Sequence, residues 1–80
     1  MTHKITRSPI KIATKDEVLE GNLLFVEGAL VAVASHLSDS HNGEGGKWFV
    51  EAAFARLDPK PVRTFETLEQ IILYIHEHYR

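Results

Sequence analysis

The chain has 80 residues, of which 44% are hydrophobic and 25% charged, and its formal net charge is −2 at pH 7. This length predicts a single domain spanning residues 1–80, and the composition is too apolar for a disordered chain. There is no cysteine, which excludes disulfides, thiol catalysis and the usual zinc-finger ligand sets.

The amino-terminal segment predicts a short strand. Ile10 and Ile12 alternate with Lys11, a pattern typical of a half-exposed strand. The segment holds no apolar run of the kind found in a secretory signal, and the longest apolar-rich run, residues 23–37, is too short to span a bilayer. We therefore expect a soluble, cytoplasmic protein with no membrane contact.

Residues 14–22 predict a turn or a single helical turn, which Thr14 could cap with Glu17 three residues later. A β-hairpin is predicted next, around Glu27-Gly28, because glycine tolerates the positive φ that a tight turn needs. A two-residue turn pairs Val26 with Ala29, Phe25 with Leu30 and Leu24 with Val31. One face of the hairpin then carries Leu24, Val26, Ala29, Val31 and Val33, and the other carries Leu23, Phe25, Leu30, Ala32 and Ala34.

A buried helix over residues 29–37 is the alternative, because periodicity does not separate short apolar strands from helices. The valines, the flanking glycine and a matching returning strand favour a sheet. That returning strand is residues 47–57, and residues 38–46, with three glycines, predict the exposed loop before it. One side of the strand carries Trp48, Val50, Ala52 and Phe54, and the other carries Phe49, Glu51, Ala53, Ala55 and Leu57. Prolines exclude residues 58–63 from a central strand or a helix interior.

The last segment predicts a helix from residue 67 to the carboxyl terminus. Thr67 and Gln70 match the capping box, in which each side chain bonds to the backbone of the other. One apolar stripe follows at helical spacing, and it consists of Leu68, Ile71, Ile72, Ile75 and Tyr79.

These elements predict an α+β fold: an antiparallel sheet of three to four strands with one carboxyl-terminal amphipathic helix packed on one face. Both sheet faces are apolar, so one face is left uncovered, and such a patch marks an interface. A second copy packed two-fold is the simplest partner. The predicted interface residues are Leu23, Phe25, Leu30, Ala32, Trp48, Val50 and Phe54. The alternatives are that the sheet curls over its own uncovered face or that the amino-terminal segment covers it.

No metal or phosphate site is predicted. His76 and His78 lie two residues apart, so on a helix their rings diverge. Oxygen and nitrogen ligands cluster in the long loop, but their spacing is not that of an EF-hand; they are Asp39, His41, Asn42 and Glu44. The glycines at 43–46 and Lys47 precede a strand, whereas a phosphate-binding P-loop precedes a helix.

No catalytic group or cofactor is predicted either. Ser35-His36 and Ser40-His41 are neighbours in sequence, which does not make a nucleophile and its base. Glu51, on an apolar strand, would gain acid–base character only if buried. The other interpretation places Glu51 at a sheet margin or pairs it with Arg56.

Two stretches, Lys47-Trp48-Phe49-Val50 and Arg63-Thr64-Phe65-Glu66-Thr67-Leu68-Glu69, form a strand-then-helix pattern. The pattern resembles the end of an integrase-arm DNA-binding domain, a small sheet followed by one helix. The resemblance implies DNA binding from the sheet, but Glu51 interrupts the strand and the excess of cations that neutralises phosphates is missing.

Three functional hypotheses follow. The first is a small non-catalytic interaction or regulatory protein, acting as a homodimer or with another protein. The second is a nucleic-acid-binding module, and the acidic balance argues against it. The third is a small enzyme or metal-binding protein.

Overall fold

The computed structural model describes residues 4–38 and 45–79. In these residues the chain forms an α+β fold, as predicted, with an open antiparallel sheet of five strands in sequence order and one carboxyl-terminal helix. The elements are β1 (Ile5–Ala13), β2 (Val18–Val26), β3 (Ala29–His36), β4 (Trp48–Ala53), a 3₁₀ turn (Ala55–Leu57), β5 (Thr64–Phe65) and α1 (Leu68–His78).

Strand β1 is longer than the sequence predicts, because it pairs along the whole of β2 despite Pro9. It is an edge strand with a single neighbour, and edges accommodate a residue without a backbone donor. In the turn after β1, Thr14 Oγ1 accepts from the Glu17 N–H at 3.1 Å and donates to the Glu17 carbonyl at 2.7 Å. Thr14 therefore closes a tight turn and caps no helix.

The predicted hairpin at Glu27-Gly28 is confirmed. Both residues have positive φ, 51° and 84°, which is the type I′ geometry that joins twisted antiparallel strands. Val26 pairs with Ala29 and Phe25 with Leu30, as counted from the turn. The predicted pairing of Leu24 with Val31 is wrong, because Leu24 pairs with Ala32.

The register shifts because each of the two inner pairings contains a β-bulge. Val31 is the additional residue of β3 opposite β2, and Glu51 is the additional residue of β4 opposite β3. A bulge reverses which face the following side chains occupy. Two faces result from this register. The helix side carries Leu24, Val26, Val31, Ala32, Ala34, Trp48, Val50 and Ala53, and the opposite side carries Leu23, Phe25, Leu30, Val33, Ser35, Phe49 and Ala52.

Helix α1 closes the core on the first of these faces. Ile71 and Ile75 are fully buried there, and Leu68 nearly so. The core cluster consists of Leu24, Val26, Val31, Ala32, Ala34, Val50, Leu57, Phe65, Leu68, Ile71 and Ile75. Since Ala32 and Ala34 are small, most of the buried volume comes from the helix and the flanking strands.

The predicted cap of α1 is confirmed. Thr67 Oγ1 accepts from the Gln70 N–H at 3.2 Å. The reciprocal bond differs from the prediction, because Gln70 Oε1 accepts from the N–H of Glu66 at 2.9 Å, one residue before the cap. The helix ends at His78, short of the carboxyl terminus, and the N–H of Tyr79 bonds to the Ile75 carbonyl at 2.8 Å.

Candidate interaction surface

The sheet face opposite α1 holds a continuous group of apolar side chains that no described helix covers. We call it the open face and define it by Leu23, Phe25, Leu30, Val33, Ala52 and Phe54. Phe54 belongs to it because the chain is still extended there and its N–H bonds to the Val31 carbonyl, so it alternates with Ala53. Leu30 is 39% exposed and Phe54 43%, and the other four are half-buried.

One end of the same side of the sheet is closed by the chain itself. Gly21 is buried, and a Cβ built on it would lie 2.5 Å from Ile12 Cδ1. Ile12 of β1 therefore lies across β2 at Gly21, and Leu19 beside it is buried without belonging to the main core. Ile12 belongs to the amino-terminal segment, so the alternative that this segment covers the second face holds at this end. Among the described residues, β1 is an edge strand beside β2 and does not lie over the open face.

A polar pair marks the margin of the open face. The hydroxyl of Ser35, which is fully buried, donates to Glu51 Oε2 at 2.6 Å. Glu51 is the bulged residue of β4 and is exposed. Acid–base character was expected of Glu51 only if its side chain were buried, and it is exposed. The carboxylate lies at a sheet margin, as the alternative interpretation predicted. Its partner is Ser35 and not Arg56.

The structure separates the seven residues predicted as an interface into two groups. Four of them lie on the open face, namely Leu23, Phe25, Leu30 and Phe54. The assignment of Ala32, Val50 and Trp48 to this face is wrong, since the bulges turn all three toward α1. Ala32 and Val50 are 1% and 2% exposed in the core, and Trp48 stacks on His36 with ring centroids 4.5 Å apart.

Sequence reasoning missed two members of the open face, Val33 and Ala52. They pair directly across β3 and β4. Strict alternation places Val33 on the opposite side, and only the pairing of whole strands could have corrected this. Alternation places Ala52 on the predicted side, with Trp48, Val50 and Phe54, but Ala52 was not among the predicted interface residues.

The two histidines at the carboxyl end of α1 have different surroundings. His76 is exposed, and the ring of His78 stacks on Tyr74 with centroids 4.0 Å apart while its Nδ1 bonds to the Tyr74 carbonyl. Among residues 4–38 and 45–79, no three histidine or acidic side chains are grouped to hold a metal ion. The loop residues whose spacing is not that of an EF-hand lie outside the described residues; they are Asp39, His41, Asn42 and Glu44.

No family model matches the chain, and searches of curated proteins and of solved structures found no significant match. Among the described helices, none has the length and apolar character required to cross a membrane.

Proposed function

We propose that this protein is a non-catalytic interaction module that self-associates through the open face. The observation that supports this most directly is the exposure of Leu30 and Phe54 beside four half-buried apolar side chains. Apolar surface gathered in one patch on a small domain is typical of a protein interface. No charged side chain is among the six residues of the patch.

The sheet edges support a face-to-face contact over an edge-to-edge one. Strand β1 forms one edge, and Pro9 at its centre cannot donate a hydrogen bond to an added strand. Arg7 and Lys11 flank it with exposed cations, which also discourage strand addition. Strand β5, at the other edge, has two residues. Association through added strands is therefore disfavoured at both edges, and the open face remains.

A second copy fits this face because two sheets can stack with their apolar sides together, about 10 Å apart. The face spans about three strands and three rows of side chains, which corresponds to roughly 300 Å² of projected sheet. Standard interfaces bury about 800 Å² on each partner. We therefore expect a reversible dimer that forms at micromolar concentrations or above.

Sedimentation velocity over a wide range of protein concentrations tests the proposal. The expected result is a mass that rises from 9.0 kDa toward twice that value as concentration increases. Leu30→Glu should keep the protein monomeric, because it places a charge within the contact. Leu73→Glu is the matched control: Leu73 is 56% exposed on α1, across the molecule from the open face, so this variant should dimerise as the parent does.

A mass of 9.0 kDa at every concentration would overturn self-association. Equal dimerisation of both variants would show that the contact lies elsewhere. Circular dichroism of both variants confirms that the fold is retained.

A further inference from the structure

A groove of about 550 Å³ lies on the helix side of the sheet, beyond the first turn of α1. Its size falls within the range of small-molecule sites, about 300–1,000 Å³. Strands β1, β2 and β3 contribute Arg7, Asn22 and His36 to its walls, and β4 contributes Trp48. The groove is separate from the open face, because these side chains point to the other side of the sheet.

Asn22 contributes a polar group to the middle of the groove. The residue is only 9% exposed, it lines the groove, and its carboxamide makes no hydrogen bond to any residue in the described ranges 4–38 and 45–79. Neither carboxamide atom is sealed from solvent, so a polar ligand can replace the water that bonds to it in the groove. Since a carboxamide offers a donor and an acceptor in one plane, it is complementary to the edge of a nucleobase.

An aromatic stack lies next to this amide. The rings of His36 and Trp48 are 4.5 Å apart and inclined by 12°. His36 Nε2 lies 3.0 Å from the Gly46 carbonyl, which can only accept, so this nitrogen donates and the ring is fixed in place. A planar ring of a ligand can extend such a stack, as bases do on aromatic side chains.

A cation and a helix amino terminus lie at the other end of the groove. The first backbone N–H groups of α1, at Leu68 and Glu69, have no acceptor within the helix and carry the positive end of its dipole. Arg7 lies 3.8 Å from Glu69, and both side chains are largely exposed. Such surface pairs are weak, so a phosphate group can replace the Glu69 carboxylate on Arg7, which binds phosphate through two parallel bonds.

The spacing of these groups matches one molecule. By register, Arg7, Asn22 and His36 lie on a diagonal across β1, β2 and β3, each step being one strand over and two residues along. Each step is about 8 Å at the backbone. A base on the stack at His36, its edge at Asn22 and a phosphate at Arg7 therefore follow the same diagonal.

We propose that the groove binds a nucleotide, with its base stacked on His36 and Trp48, the base edge bonded to Asn22, and its phosphate at Arg7 and the amino terminus of α1. The site does not depend on self-association through the open face. The ligand can be a free mononucleotide or one nucleotide of a single strand, since both present the same base and phosphate.

The test uses Trp48 as its reporter, because it is the single tryptophan of the chain. The full chain is titrated with adenosine and uridine monophosphates, a short single-stranded oligonucleotide, adenosine and inorganic phosphate. Binding is followed through the NMR signal of the Trp48 indole N–H. The expected result is saturable binding of at least one monophosphate or of the oligonucleotide, at least about tenfold tighter than inorganic phosphate.

Three variants sharpen this result. Arg7→Gln should weaken nucleotide binding about tenfold through loss of the charged bonds to phosphate, and Asn22→Ala should weaken it without changing the affinity for phosphate. Glu69→Gln should tighten binding about threefold, because it releases Arg7 from its carboxylate. The control Arg56→Gln should bind as the parent does, since Arg56 lies over Tyr79, away from the groove.

Binding of a monophosphate and of the oligonucleotide with equal affinity identifies a free-nucleotide site; stronger binding of the oligonucleotide identifies a site for single strands. No shift of the Trp48 signal with any nucleotide overturns the proposal, as does phosphate binding equal to that of the nucleotides. An unchanged affinity in Arg7→Gln also overturns it, and because Arg7 is largely exposed, that variant is expected to fold even if Asn22→Ala does not.

Discussion

The two faces of the sheet are both apolar, yet they are built differently. On the helix side the sheet contributes small residues at its centre, Ala32 and Ala34, and α1 supplies Ile71 and Ile75 to fill the space. On the open face the sheet itself carries large side chains, such as Phe25 and Leu30. The covered face is therefore shaped to receive a helix, whereas the large side chains of the open face project outward.

The largest expected effect contrasts these two faces directly. Ile71→Ala should lower the free energy of unfolding by about 2–5 kcal/mol, because it leaves a cavity in a fully buried site. Leu30→Ala should cost less than about 1 kcal/mol in the monomer, because 39% of Leu30 is already exposed. Urea denaturation at low protein concentration measures both values.

Equal losses in the two variants would contradict the distinction between the faces. Repeating the urea denaturation at high protein concentration also tests whether the open face forms the dimer contact. If the dimer forms, the parent gains stability with concentration and Leu30→Ala gains less, whereas Ile71→Ala gains as the parent does.

An intermediate effect is expected at Gly21, where Ile12 covers one end of the sheet side opposite α1. In Gly21→Ala the new methyl group would lie 2.5 Å from Ile12 Cδ1 and 2.9 Å from the Ala34 carbonyl oxygen. We expect a loss of about 1–3 kcal/mol from this overpacking, measured by thermal or urea unfolding. Adding Ile12→Val removes the nearest atom and should recover part of the loss; the carbonyl contact remains. Gly21→Ala at parental stability would show that Ile12 does not cover the sheet there.

The smallest effect is expected at the amino-terminal cap of α1, the helix that covers one face of the sheet. Thr67→Ala removes the acceptor of the Gln70 N–H and should cost about 1 kcal/mol. Thr67→Ser keeps the hydroxyl and serves as the control, with parental stability expected because serine is at least as good an N-cap as threonine. The midpoint of urea unfolding distinguishes the two, and equal midpoints for Thr67→Ala and the parent would argue against the cap.

What the sequence predicted correctly depends on local chemistry. The type I′ turn follows from Gly28, and the helix start follows from the hydroxyl of Thr67, so both were found from a few adjacent residues. The bulges at Val31 and Glu51 were missed because neither position carries the glycine that marks one common type of bulge. Their positions depend on how three strands align, which no short window contains.

The same dependence on strand alignment explains which residues of the open face and of the groove were predicted. Leu30 was assigned to the right face because it lies between the turn and the first bulge, and Leu23 and Phe25 because they alternate along β2, which contains no additional residue. The groove was not predicted, because Arg7, Asn22 and His36 come from three strands and carry no common spacing in sequence. Likewise, the need for glycine at position 21 follows from the approach of Ile12 and of the Ala34 carbonyl oxygen, which no local pattern shows.

The order of the strands has a consequence for synthesis on the ribosome. Each strand pairs with the strand before it in the chain, so the strands can pair one after another in the order in which they emerge. Helix α1 follows all the strands that it covers, and until it docks both faces of the nascent sheet expose apolar side chains. Partly folded chains of this kind aggregate readily. The interval between completion of β4 and docking of α1 is therefore when the nascent chain most needs a chaperone.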